Sequence, residues 1–357
     1  MVEMTRSCMQ EGQGWSSVGA AAQKRPKSRT PMLFTFMICT HNRRPLVERC
    51  VRELMKLERP AGVTWEVLVV DNASHDGTSE LIRQLQAEWS LAMAGDGETP
   101  ELRLHHEPRL GTAYARRSGI AASRGDWVVF VDDDCLMEAD WLMHASRFVT
   151  EHPHVGVIGG RNALLWEEPP SALCEAYGES LARQDWGDEP MQVPDEGKRA
   201  FCGAGLVLNR QAVVKSGYLE LGHLSGRRGR SLMAGEDTEV QLRVRNTGGT
   251  MWYCPDLKLR HWIPKERMPL RHLLPLHQGF GEVEAYLRLL GDRQPFTLAN
   301  RARAVGWAWQ DLMTVLRRFW LGCVKYRNER PTWFIRLWYA WGFLKGALVL
   351  LIRRPQA

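Results

Sequence analysis

The feature that most constrains this chain is the rhythm between residues 33 and 134, where four short strand-like runs alternate with helical patterns. The runs are LFTFMIC (33–39), WEVLVVD (65–71), ELRLHHE (101–107) and WVVFVDDD (127–134). Between them lie RPLVERCVRELMKL (44–57), a stretch from Thr78 to about Trp89, and GTAYARRSGIAAS (111–123). In the first of these helices Leu46, Cys50, Val51, Leu54 and Leu57 fall along one face. Strands alternating with helices of this length predict an α/β domain of nucleotide-binding type, with a mostly parallel central sheet covered on both faces. Ligands are then expected beyond the carboxyl ends of the strands.

After residue 134 the pattern loosens. VGVIGG (155–160) and FCGAGLVLN (201–209) read as strands, and GEDTEVQLRVRNTGG (235–249) opens a helix. TMWYCPDLKLRHW (250–262) reads as a hairpin-like pair of strands, and everything from Pro269 onward as helix. Residues 1–31 lack a continuous apolar stretch and read as a disordered leader. The expected organisation is therefore leader (1–31), catalytic domain (32–267) and helical C-terminal region (268–357).

The net charge of +6 suits phosphate-bearing partners or an anionic membrane surface, and is too small to argue for nucleic acid. Eight cysteines are scattered without a CxxC pair, as in a cytosolic protein with reduced thiols.

The strongest chemical signal is VVFVDDDC. Three adjacent carboxylates at a strand end repel one another, and a divalent cation removes that cost. Mg²⁺ or Mn²⁺ takes one or two carboxylates plus diphosphate oxygens, so Asp134 is expected to bind metal and Asp132 to hold the ribose or the metal's water. A solvated acidic turn or a helix N-cap is the plain alternative. In VLVVDNASHDGTSE, Asp71 and Asn72 end a strand and can pair with a base edge, whereas Asp76 and Thr78 look like an ordinary helix N-cap. In GEDTEV, Glu236 and Asp237 begin a helix, where the dipole favours an ionised carboxylate and a base could face a cleft. The preceding LSGRRGRSLMAG reads as a mobile basic lid.

Six fragments occur in one order: FMICTHNR, VLVVDNASHDGT, EPRLGTAYARRSGIAASRGDWVVFVDDDC, FCGAGLVLNR, GRRGRSLMAGEDTEVQLR and LKLRHW. Together, over residues 33–262, they resemble the inverting family 2 glycosyltransferases of GT-A fold. The resemblance implies a nucleotide-sugar donor (a UDP-sugar) held by Thr40, Asn42, Asp71 and Asn72. It implies a metal motif in Asp132 and Asp134, Asp237 as catalytic base and Glu236 as an acceptor-binding acid. His261 matches a position that contributes a further metal or diphosphate contact, with a purely structural histidine as the alternative. Arg116 is expected either near the diphosphate or in a surface ion pair. The QxxRW motif of processive synthases is missing from the sequence, which favours transfer of a single sugar. The expected acceptor is a glycan or a lipid-linked sugar in envelope or exopolysaccharide assembly.

A nucleotidyltransferase would carry a Gly-rich phosphate loop after the first strand, but CTHNRRP has no glycine. A catalytically silent nucleotide-sugar-binding module stays open. In residues 301–325, Arg303, Gln310, Asp311, Thr314, Arg317, Arg318 and Lys325 share one arc. Val305, Trp309, Leu312, Leu316, Phe319, Trp320 and Cys323 lie opposite, as in an interfacial helix. The segment at 333–354 is long enough to span a bilayer but carries Lys345 near its middle. Attachment to the inner face of the membrane, packing on the catalytic domain and a true span are the three readings, the first being favoured by the tryptophans and flanking arginines.

Overall fold

The expected alternation appears as β1 (Met32–Thr40), α1 (Arg44–Leu54), β2 (Val63–Asp71), α2 (Thr78–Met93), β3 (Glu101–His106), α3 (Thr112–Ala122) and β4 (Trp127–Asp132). These come from a computed structural model that describes residues 32–94, 99–227, 229, 232–325, 330–353 and 355. Residues 1–31, and 228, 230 and 231 of the expected basic lid, lie outside the described residues. The chain continues through β5 (Cys135–Met137), α4 (Trp141–Glu151), β6 (Val155–Trp166), α5 (Ala172–Ala176), β7 (Met191–Gln192) and β8 (Val207–Asn209). Then follow α6 (Arg210–Lys215), α7 (Tyr218–Leu221), α8 (Glu236–Asn246), β9 (Thr250–Ile263), α9 (Leu270–Gly291), α10 (Leu298–Lys325) and α11 (Arg330–Ile352).

Among the described residues the strands form one mixed sheet, ordered β3-β2-β1-β4-β8-β6-β9-β5, with β7 beside β9. It is parallel from β3 to β4, and β8 then runs antiparallel to both β4 and β6. The register matters for chemistry. Thr40 pairs with Asp71 and Cys39 with Asp132, so the polar ends of three strands arrive at one edge.

Side chains alternate across the pleat and build a core on each face. Phe34, Phe36 and Ile38 of β1 pack with Trp65, Trp89 and Trp141 on one side. Met37, Leu68, Val70, Phe130 and Tyr218 fill the other, under α3, α7 and α8. Each such large apolar side chain contributes ~1.5–3 kcal/mol by burial.

Two expectations change. The segment 250–262 is a single strand within β9, not a hairpin. Its parallel register against β6 jumps from Gly159↔Tyr253 to Arg161↔Lys258. Residues 254–257 therefore leave the ladder, and the chain resumes in the same direction. Pro255, which has no N–H to donate, sits inside that interruption.

The second change concerns α10. Its packed stripe runs through Ala304, Ala308 and Leu312, while Trp309 and Leu316 are exposed. The apolar arc expected from the sequence is thus divided between core and solvent. The side chains of Trp320, Cys323 and Lys325 lie outside the described residues.

Helices α9 and α11 meet backbone to backbone. A Cβ on Gly281 would stand 2.1 Å from the Tyr339 carbonyl oxygen, and one on Gly346 would stand 2.0 Å from that of Glu282. Lys345 is half-exposed and pairs with Glu282 at 2.8 Å, which gives its charge a partner on the neighbouring helix. Arg245 and Asn246 of α8 donate to the carbonyls of Gly291 and Leu290, tying α9 to the sheet-covering helices.

Candidate active site

A cavity of about 840 Å³ opens at the edge where β1 and β4 end. Cys39, Thr40, Arg43, Arg116 and the three aspartates line one side, and Glu236 and Asp237 line the start of α8. The far wall includes Trp186 and Lys198, together with Phe280 and Glu284 of α9 and Tyr339 of α11. The C-terminal helices thus contribute directly to the cavity, which the sequence reading had not anticipated.

The three adjacent aspartates have different surroundings. Asp132 is partly exposed, its side chain 38% accessible, and meets Arg116 Nη2 at 3.4 Å. Asp133 is buried; Thr40 Oγ1 donates to it at 2.8 Å and Arg43 Nη1 at 2.5 Å. Burial pushes the Asp133 carboxyl up to about 7, against the pull of Arg43. Asp134 is equally buried, yet its carboxyl is held below the usual range: burial is outweighed by His261, Arg43 and Arg267. Its Oδ1 lies 2.9 Å from His261 Nε2, while Oδ2 accepts from Arg43 Nη2 at 2.8 Å and Arg267 Nη1 at 3.1 Å. Arginines therefore supply part of the counter-charge that the acidic run was expected to draw from a metal. Neither had been singled out. Arg43 stands in the quoted FMICTHNR, but Arg267 follows β9 with no local signal.

A donor set for a cation is nonetheless present. Ligand atoms of Asp132, Asp134, Cys135 and His261 all lie within 4.8 Å of one another. The Cys135 thiol is pushed well up by burial and stays neutral, which leaves two carboxylates and an imidazole. His261 Nδ1 donates to the Leu181 carbonyl at 2.9 Å, which orients the ring with Nε2 toward Asp134 Oδ1. Without a cation an Nε2–H bridges that contact, and a bound cation would take the place of that proton. The 2.9 Å contact between Nε2 and Asp134 Oδ1 is itself a hydrogen bond, so the case for a cation rests on the donor set and not on spacing. Two carboxylates and an imidazole are a donor chemistry that fits Mg²⁺ or Mn²⁺.

Arg116 is not in a surface ion pair. It is buried, lies over the Phe130 ring at 4.7 Å and donates to Glu236 Oε1 at 2.9 Å. Its burial is more than offset by Glu236 and Asp132, which hold it protonated. Glu236 Oε2 has no hydrogen-bond partner among the described residues, and burial raises the carboxyl despite Arg116. Asp237 Oδ1 accepts from the Thr238 N–H at 2.8 Å, and Oδ2 lies beside Gly203. A Cβ on Gly203 would stand 2.9 Å from that oxygen and 2.7 Å from Arg116 Nη2. The missing side chain is what lets both groups sit against the backbone at this position.

The residues expected around the nucleotide divide into two groups. Thr40 and Asn72 line the cavity, whereas Asn42 and Asp71 are not among its lining residues. Asp71 is buried; Oδ1 accepts from the Ser74 N–H at 2.9 Å and Oδ2 from the Ser79 hydroxyl, so it fixes the loop into α2. Asn42 accepts from the His75 N–H at 2.7 Å and clips the loop after β1 to the one after β2. The Asn72 amide accepts from Gly111 N–H and donates to the carbonyls of Glu107 and Arg109, shaping the entry to α3. Asp76 is not the N-cap expected of it: Gly77 takes that place without a side-chain cap bond, and Asp76, one residue earlier, accepts from the Thr78 N–H at 3.2 Å.

A family model described as glycosyl transferase family 2 matches residues 35–216. The succinoglycan biosynthesis protein ExoM of Rhizobium meliloti is 24% identical over 276 residues, covering 76% of this chain and 77% of that one. The glycosyltransferase AglE of Haloferax volcanii is 31% identical over 124 residues, covering 35% of this chain and 37% of that one. Among solved structures, the mannosyltransferase PcManGT from Pyrobaculum calidifontis, in complex with GDP-Man and Mn²⁺, superposes with a TM-score of 0.53. The match covers 89% of this chain and 86% of that one at 20% identity, and shows a shared fold.

Proposed function

Because the chain belongs to glycosyl transferase family 2, we propose that it transfers one sugar, with inversion, from a nucleotide-sugar donor to an acceptor hydroxyl at Asp237. The observation that carries this reading is the position of Asp237. It stands at the first turn of α8, on the same cavity as Asp132, Asp134 and His261. Oδ2 takes the acceptor proton as the acceptor oxygen attacks the anomeric carbon. The N-terminus of α8 and the Arg116 guanidinium put positive potential at this end of the cavity. Asp132, Asp134 and His261 would hold a divalent cation, Mn²⁺ or Mg²⁺, which when bound offsets the negative charge of the departing diphosphate. Thr40 and Arg43 fix Asp133 and so set the backbone from which Asp132 and Asp134 project.

The donor is proposed to be a UDP-sugar, and the acceptor a glycan or lipid-linked sugar in polysaccharide assembly. The relative named for succinoglycan biosynthesis supports that class of acceptor. So does α11. Helix α11 is long and apolar enough to cross a membrane, yet it packs against α9. Its outer stripe of Phe334, Trp338, Trp341, Leu348 and Ile352 is exposed and is interrupted by half-exposed Lys345, with Arg336 and Arg353 nearby. That pattern suits shallow attachment to an anionic membrane surface, proposed here as the cytoplasmic face, where nucleotide sugars are available.

The test is a panel of nucleotide sugars with Mn²⁺ and sugar or lipid-linked acceptors, followed by NMR of the new glycosidic linkage. The reading expects release of nucleoside diphosphate with one donor class and a product of inverted anomeric configuration. Retention of configuration, or no turnover with any donor, would contradict it.

A further inference from the structure

We propose that Arg43 and Arg267 are resident counter-cations of the metal site, which keep its affinity for a bare divalent ion low and make that ion enter together with the nucleotide diphosphate. The inference rests on Asp134 being a metal ligand, as read above.

The geometry divides the Asp134 carboxylate into two halves. Oδ1 points to His261 Nε2 at 2.9 Å, the side on which a cation fits. Oδ2 accepts from both arginines, at 2.8 and 3.1 Å. Arg43 also spans to Asp133 at 2.5 Å, so one guanidinium bridges two neighbouring carboxylates. The Asp133 and Asp134 side chains are only 3% and 2% exposed, Arg267 is 14% exposed and Arg43 is 36% exposed. The Arg267 pair is therefore poorly screened, and the Arg43 pairs are screened from the arginine's side only.

The charge count gives the consequence. Asp132, Asp133 and Asp134 carry at most three negative charges. Arg43 and Arg267 cancel two, Arg116 is shared between Asp132 and Glu236, and His261 Nε2 faces Asp134 as well. A bare dication meets a cluster with almost no surplus negative charge, so Coulomb attraction adds little to its binding. A nucleoside diphosphate changes both sides of this balance. It brings several negative charges and oxygens that serve the cation directly. It also offers acceptors to the remaining N–H groups of two arginines that already line the cavity. The arginines need not leave Oδ2 for this to happen, because the cation uses Oδ1.

The experiment is Mn²⁺ binding to the full-length protein, followed by the EPR signal of the free ion, without nucleotide and then with UDP or GDP. Wild type is expected to bind Mn²⁺ weakly alone and much more tightly with one of the nucleotides. Arg43→Gln and Arg267→Gln should each raise nucleotide-free Mn²⁺ affinity by about tenfold or more, and should shrink the enhancement that the nucleotide gives. Arg43→Lys and Arg267→Lys keep the charge and should stay near wild type. Should Arg43→Gln not fold, the two Arg267 variants decide the matter. If the Gln variants bind Mn²⁺ no more tightly than wild type while Asp134→Asn abolishes binding, the counter-cation proposal is overturned and the metal site stands. If Asp134→Asn binds Mn²⁺ as wild type does, or wild type takes none with either nucleotide, the metal reading itself falls and the proposal with it.

Discussion

Replacing Gly203 by alanine tests whether the seating of Arg116 and Asp237 against this position matters to turnover. The backbone at Gly203 is not in the left-handed region, so alanine meets no conformational penalty and the effect is steric alone. Its Cβ would stand 2.7 Å from Arg116 Nη2 and 2.9 Å from Asp237 Oδ2, some ~0.5–0.8 Å inside ordinary contact. Arg116 has little room to yield, being buried between Phe130, Glu236 and Asp132. Overpacking of this kind costs about 1–3 kcal/mol. Asp237 is the freer partner and should move, and a displaced catalytic group loses on the order of 10²-fold in rate for ~1 Å. The expected result is a kcat lower by about tenfold to a hundredfold, with nucleoside diphosphate affinity within about threefold of wild type. Steady-state kinetics and calorimetric titration separate the two, and thermal unfolding reports the packing cost. An alanine variant with wild-type kcat and unchanged unfolding would refute the argument that this glycine seats the two groups.

Two further outcomes follow from the geometry. The Arg109 hydrogen bonds lower the Glu107 carboxyl to about 2, against the effect of burial. Its folded-state value is therefore depressed, so its contribution is present above ~4.3 and is lost as the pH falls toward 2. Glu107→Gln should be less stable than wild type by about 1–2 kcal/mol at pH 7, discounted because Arg109 is exposed. The difference should close in acid, as read by urea unfolding at several pH values. On α11, Trp338→Ser with Trp341→Ser should weaken sedimentation with anionic vesicles at least fivefold, or about 1 kcal/mol, and leave thermal unfolding nearly unchanged because both side chains are exposed. Equal vesicle binding by this variant and wild type would rule out the exposed stripe as a membrane contact.

How far the sequence carried can be seen residue by residue. The strands at 33–39, 65–71 and 127–132 were legible because buried parallel strands leave short apolar runs ending in polar residues. Asp132, Asp134 and His261 could be placed at one site because the motifs kept their order. Long-range partners left no such trace. Arg267 reaches Asp134 across 133 positions, and nothing in its neighbourhood distinguishes it from any exposed arginine. Glu236 was read as an acceptor ligand, but its Oε1 is engaged by Arg116, 120 positions away. The reading of 250–262 as a hairpin failed because Pro255 and Asp256 have turn chemistry, while the pairing that overrides it comes from β6. Helix α11 was read for its membrane pattern and α9 simply as helix, and periodicity could not reveal that Phe280, Glu284 and Tyr339 face the cavity.

The central claim is that Asp237 is the base of a sugar transfer whose donor is held elsewhere in the cavity. Asp237→Asn tests it most directly, because the amide keeps the shape and removes only the proton acceptor. Affinity for nucleoside diphosphate with Mn²⁺ and the single-turnover transfer rate are measured on the same preparation. The account predicts affinity within about threefold of wild type and a rate lower by roughly 10²–10⁴-fold. A variant that transfers sugar at the wild-type rate, or one that loses nucleotide affinity while keeping its turnover, would contradict it.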